Sequence, residues 1–246
     1  MRQVFAPYIP IALVILLAST APVVGQDISI SVGEGGELAT RTVQLFVLLT
    51  LLSLVPGLAV MVTCFPFIVT VLSILRQAIG LQQSPPNMLI VSLALFLTYF
   101  VMEPVFTEAW TRGGQPFSEG VMDLEPAFMA SLEPFRIFMA NRIEPETFTH
   151  LAALREQTSG VELGNDAPLS ILVPSFLLSE IERAFQIGFL VFLPFLVIDL
   201  VVAAILMSMG MMMVPPAIVS LPFKLAFFVV ADGWTLISGA LVRSYF

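Results

Sequence analysis

The chain has 246 residues, of which 58% are hydrophobic and only 11% charged, with a mean hydropathy of +0.97 and a net charge of −8. So little charge cannot cover a soluble domain, and the apolar residues are blocked into long runs, so most of the chain belongs in lipid or inside an assembly. No Lys/Arg cluster exists to neutralise phosphates, which excludes nucleic-acid binding, and the lone Cys64 excludes an internal disulfide or a multi-cysteine metal site.

Residues 1–25 read as a signal peptide. Arg2 supplies the positive start, residues 9–18 are apolar but too short to span a bilayer, and Val23-Val24-Gly25 offers a cleavage site before Gln26. An uncleaved anchor is the alternative. Residues 26–42 form a short polar lead. The block 43–109 is expected to be a first hydrophobic helical hairpin. Residues 42–75 carry no charge, and a helix over about 43–64 is expected to continue, bent near Pro66, toward Arg76. The polar turn Gln82-Gln83-Ser84-Pro85-Pro86-Asn87 stops it. A second apolar segment runs from Met88 to Met102 and is expected to end near Glu103 and Pro104.

The block 110–183 is an acidic segment of amphipathic helices. Phe128, Leu132, Phe135 and Met139 recur at helical spacing on one face. Pro126 and Pro145 suit first-turn positions, whereas Pro134 is expected to kink its helix. Residues 160–168 read as a loop. Pro174 is expected to open a helix with Leu177, Ile181 and Phe185 along one stripe. A cleaved signal puts this segment outside the cytoplasm, although the distribution of arginines points the other way.

The block 184–246 reads as a second hydrophobic helical hairpin, with helices over about 185–208 and 217–241 joined by a Met-rich turn. The fold class is thus an all-α integral membrane protein with two hairpins around an amphipathic segment. Charges within the last hairpin are few. Asp199 lies as far before the turn as Lys224 lies after it, so the two reach a similar depth and can pair. Lys224 and Asp232 are eight residues apart, near two helical turns, and should share a face. A lone charge in hydrocarbon costs at least about 2.5–3.5 kcal/mol, so these groups face protein or water. A salt bridge or subunit contact is favoured over an ion relay, because no further titratable residues continue a path.

Met207, Met209, Met211, Met212 and Met213 crowd the turn. Three readings stand open: a deformable hydrophobic constriction, ordinary packing, and Cu(I) carriage, the last without nearby Cys or His to reinforce it. His150 is the only histidine and no nucleophile elbow or zinc spacing occurs, so neither enzymatic activity nor a cofactor is expected.

Two stretches carry a resemblance. The first is PFIVTVLSILRQAIGLQQSPPNMLIVSLALFLTYFVMEPVF, residues 66–106. The second, residues 173–234, holds SE…AFQIGF, PFLVIDLV, GMMMVPP, LPFKL and DGW. Together they resemble the FliP family of type III secretion export-gate subunits. The resemblance implies a core channel subunit of the flagellar export gate, located in the bacterial cytoplasmic membrane at the flagellar basal body. It implies a homo-oligomer, expected to be pentameric, assembled with FliQ and FliR, with hairpins raised out of the bilayer plane. FlhA, FlhB and the ATPase complex would supply unfolded flagellar proteins from the cytoplasm. On the same resemblance, Met211, Met212 and Met213 match the family's pore constriction. Glu180, Asp199, Lys224 and Asp232 match charged positions within and between subunits. The injectisome homologues of virulence secretion look similar through the same blocks, but usually lack a signal peptide and the Val-Pro-Pro ending, so the flagellar form is favoured.

Overall fold

The structure, a computed structural model, describes residues 36–81, 85–211 and 213–246. The expected signal peptide, most of the polar lead, part of the Gln82–Asn87 turn, and Met212 lie outside the described residues. The chain divides into two compact units, Met1–Leu51 and Leu52–Phe246. Among the described residues every regular element is helical.

Helix α1 (Gly36–Met61) contains Pro56, and the apolar side chains described along it face outward all round. A helix apolar on every side needs lipid or a partner to cover it. The chain then breaks at Val62-Thr63-Cys64 and restarts as α2 (Phe65–Ile79), with Pro66 in its first turn, where a missing donor costs nothing. Helix α2 is the centre of the fold. Phe67, Ile68, Val71, Leu72, Leu75, Ala78 and Ile79 are buried at helical spacing. It ends on Gly80, whose φ of 88° is the left-handed cap that glycine adopts without penalty.

Helix α3 (Asn87–Ala109) begins behind the Pro85-Pro86 pair and packs on α2 through Ile90, Ala94, Val101 and Met102. It does not end at Glu103 or Pro104. It runs through Pro104 and continues, by a π-turn at Trp110–Gly114, into the short α4 (Gln115–Ser118). Proline forfeits one hydrogen bond, but in an apolar setting the remaining backbone groups have no water to turn to, so the ladder persists around it. At Gly113 the π-turn meets α5 (Leu124–Ala140) so closely that a Cβ would lie 2.1 Å from the Ala127 carbonyl oxygen.

Helix α5 accommodates Pro134 and is followed by α6 (Pro145–Ala153), with Pro145 at its first position. Met139, Ile143, Phe148, Ala152, Ile171, Leu172 and Phe176 form a second core between this segment and the start of α7. Helix α7 (Leu169–Ser208) has 40 residues and contains both Pro174 and Pro194. Pro174 therefore does not open the helix. The stripe at Leu177, Ile181 and Phe185 is not the buried one either: Leu172, Phe176, Glu180, Ala184 and Gly188 lie beneath it, one position earlier. From Glu180 through Ala184 to Gly188 that face turns polar and small because α7 lies tightly on α2, where a Cβ on Gly188 would come within 2.4 Å of Ile74. At about 1.5 Å per residue α7 is about 60 Å long, roughly twice the hydrocarbon thickness of a bilayer.

The last part is not a single straight helix over 217–241. Helices α8 (Pro216–Val230) and α9 (Gly233–Arg243) meet at an angle of 61°. Asp232 sits at the bend with φ 47°, a conformation that Asp tolerates better than most residues. Gly233 follows because any Cβ there would fall 2.1 Å from the Phe228 ring. By length and composition α1, α3 with α4, and α7 can each cross a membrane, and the bent pair α8–α9 supplies a fourth candidate.

Candidate functional site

Three features carry the candidate chemistry: two charge clusters set along α7 and the turn that follows it. In the first, Lys224 of α8 is 6% exposed and places its Nζ 2.6 Å from Asp199 Oδ2. The same ammonium donates to the Ala78 carbonyl oxygen at 3.1 Å, at the end of α2. A cation there satisfies a carbonyl the helix leaves open and complements the negative end of its dipole. Ser220 Oγ donates to Asp199 Oδ1 at 2.6 Å, so both carboxylate oxygens are occupied. Three helices thus meet on one ion pair.

The second cluster surrounds Glu180, whose side chain is fully buried. Arg142, in the turn between α5 and α6, donates from Nε at 3.0 Å, and the Tyr245 hydroxyl donates to the other oxygen. Arg142 also donates to the Ser244 carbonyl oxygen at 2.8 Å and lies over the Tyr245 ring at 4.0 Å. Arg183 stands at 3.8 Å. Burial, and then the Glu180 charge, push the Tyr245 phenol far above its ordinary range, so it remains the donor.

Asp232 joins neither cluster. It is exposed at the α8–α9 bend, where Thr235 Oγ1 donates to it at 3.2 Å. Its expected shared face with Lys224 assumed an unbroken helix, and the bend removes that relation. Arg142 and Tyr245 were missed by sequence reasoning. Arg142 was legible as a cation closing the apolar stripe that ends at Met139, whereas nothing marked Tyr245 within the last residues.

The turn after α7 has a defined construction. Gly210, with φ 76°, follows the helix end at Met209. Its N–H bonds to the Met207 carbonyl oxygen and the Met211 N–H to that of Leu206, both at 3.0 Å. This pair of bonds is the Schellman arrangement, and it fixes the direction in which the methionines leave the helix. Met207, Met209, Met211 and Met213 are all exposed, Met213 at 97%. Beside the turn a 490 Å³ groove between α7 and α8 is lined only by apolar side chains, among them Val201, Ile205, Met209 and Phe223.

Cys64 is buried where the α1–α2 break meets α3, and burial pushes its thiol up to about 12. His150 is exposed on α6. Among the described residues no group of three or more His, Cys, Asp or Glu converges as for a metal ion.

A family profile described as the FliP family matches residues 48–241. The chain is 49% identical over 221 residues to the flagellar biosynthetic protein FliP of Caulobacter vibrioides, covering 89% of this chain and 82% of that protein. It is 48% identical to the Agrobacterium fabrum protein of the same name, covering 85% of this chain and 86% of that one. The Bacillus subtilis protein of that name is 43% identical, with 85% and 94% covered. The profile match includes Arg142, Glu180, Asp199, Lys224 and the methionine turn, and the chain belongs to the FliP family.

Proposed function

We propose that the chain is a core channel subunit of the flagellar type III export gate, passing unfolded flagellar proteins across the cytoplasmic membrane. Its family membership and the flagellar biosynthetic proteins it matches give it a role in flagellar protein export and assembly, as a membrane-embedded component. In this reading it is a multi-pass transport subunit and not an enzyme. Copies assemble as a pentamer with FliQ and FliR, and FlhA and FlhB deliver substrate.

The observation that carries the channel reading is the outward-facing methionine turn. Met211 and Met213 leave a rigidly capped helix end and are exposed within their own chain. Soft, unbranched thioethers from several copies can close a passage to ions and still part for a polypeptide. Met211, Met212 and Met213 are assigned to that constriction. Asp199 with Lys224, and Glu180 with Arg142, brace each subunit internally, and exposed Asp232 is left for contact between subunits.

Loss of the gene should abolish swimming and filament export, and normal motility without it would overturn the reading. Replacing Met211, Met212 and Met213 together by Ala widens the ring. Ion leakage across the membrane should rise while export continues; unchanged conductance with intact export would remove the constriction.

A further inference from the structure

The apolar stripe of α5 is longer than its own chain covers. Met139 at its carboxy-terminal end is 1% exposed, yet Phe128 is 57% exposed and Leu124, one turn further along the same face, 68%. Val121 and Met129 widen the uncovered area, and the exposed carboxylates of Glu119, Asp123 and Glu125 rim it. An apolar patch with a polar rim marks an interaction surface. Anionic lipid would repel this rim, so the matching surface is protein that is apolar and carries a cation.

This chain presents such a surface elsewhere. A 190 Å³ pocket between α6 and the start of α7 is lined by Leu151, Leu154, Arg155, Ser170, Ile171 and Pro174. Leu154 is exposed, and Arg155 is exposed with no ion pair among the described residues. Arg142, Arg112 and Arg183, by contrast, are each bound to a carboxylate of their own chain.

We infer that the acidic apolar tip of α5 in one copy docks into the Arg155 pocket of the next copy. Phe128 and Leu124 enter the pocket, and Glu125, three residues before Phe128 on the same side of the helix, meets Arg155. Two unlike patches meeting in this way make a head-to-tail contact, which forms a ring when the rotation from copy to copy closes, as the homo-oligomeric reading requires. The inference rests on the homo-oligomeric reading above and places one of its interfaces in the amphipathic segment, outside the long hydrophobic helices.

The test uses the full chain purified in mild detergent, with ring yield read by native mass spectrometry. Glu125→Arg and Arg155→Glu each bring like charges together and should lower ring yield about ten-fold or more. The double variant restores the pair with its signs exchanged and should recover to within about two-fold of the unmodified chain. Phe128→Cys chains mixed with Leu154→Cys chains should form disulfide-linked dimers that neither forms alone. Unmodified yield in both single variants, or a double variant no better than either, would overturn the docking while leaving the oligomeric reading intact. An unmodified chain that runs only as a monomer would overturn both.

Discussion

Replacing Lys224 by Ala should harm the chain mainly through what it strands. The ammonium is held at 2.6 Å by Asp199 and at 3.1 Å by the Ala78 carbonyl oxygen, and its removal leaves a carboxylate facing apolar helices. Removing one partner of a buried pair typically costs about 3–5 kcal/mol. The Asp199 side chain keeps 37% of its surface exposed, so solvent takes up part of the stranded charge. A loss of about 2–3 kcal/mol is expected, with roughly 0.5 kcal/mol more for the cation withdrawn from the end of α2. A total near 3 kcal/mol is about a hundred-fold in the folding equilibrium. The informative partner is the double variant Lys224→Met with Asp199→Asn. It retains an oxygen for Ser220, strands no charge, and should lie within about 1 kcal/mol of the parent, since neutral replacements of buried pairs often cost little. Reversible unfolding in mixed micelles measures both variants, and recovery of the complex with its partners reports assembly. The reasoning fails if the single change costs under about 1 kcal/mol or if the double is as harmful as the single. Normal complexes with blocked export would likewise refute a purely structural role for Lys224.

Gly113→Ala should be worse than Gly188→Ala. At Gly113 the new Cβ strikes the backbone carbonyl of Ala127, whereas at Gly188 it meets the end of the Ile74 side chain, which can turn aside. About 1–3 kcal/mol is expected at Gly188 and more at Gly113, read from unfolding in detergent, and the reverse order would refute the packing argument. Tyr245→Phe removes a donor from buried Glu180 and should cost about 1.5–3 kcal/mol in the same assay, with stability unchanged if the hydrogen bond is absent in solution. The Cys64 thiol, buried and pushed up to about 12, should resist maleimide at pH 8 until the chain is unfolded, and fast labelling of the folded chain would show the α1–α2 break to be open.

Much of the helical plan was legible from composition and punctuation. The restart near Pro66, the start behind Pro85-Pro86 and the approach of Asp199 to Lys224 follow from rules that act over a few residues. The end of α3 and the beginning of α7 did not follow, because Pro104 was read as ending a helix and Pro174 as opening one, by a rule drawn from water-exposed chains. Where little water reaches the backbone, a proline forfeits one bond and the helix goes on. The buried stripe of α7 was missed for a related reason. Hydrophobic periodicity picks out Leu177, Ile181 and Phe185, but tight contact with α2 selects for small side chains near its crossing, so Ala184 and Gly188 face inward there and Phe185 and Phe189 outward. The Arg142–Glu180–Tyr245 cluster joins parts of the chain 38 and 65 residues apart, and no local pattern encodes that meeting.

The placement of the two charge clusters bears on how a passage built from this chain can open. Glu180 and Asp199 are nineteen residues apart on one helix, about 28 Å, with the close contact of Gly188 on Ile74 between them. Apolar surfaces alone discriminate poorly between neighbouring registers, whereas each ion pair is satisfied in one register only. A slide of α7 by one turn, about 5.4 Å, would strand Glu180 from Arg142 and Asp199 from Lys224 together and drive a larger side chain against Ile74. Helices α2 and α7 are therefore expected to move as one body. In the proposed channel, parting of the methionines then has to come from the turn beyond Ser208, whose described residues are held by local backbone bonds, or from separation between copies. A disulfide engineered between α2 and α7 should accordingly leave export intact, while one that ties the turn to α8 should block it; export lost with the first and kept with the second would refute this division.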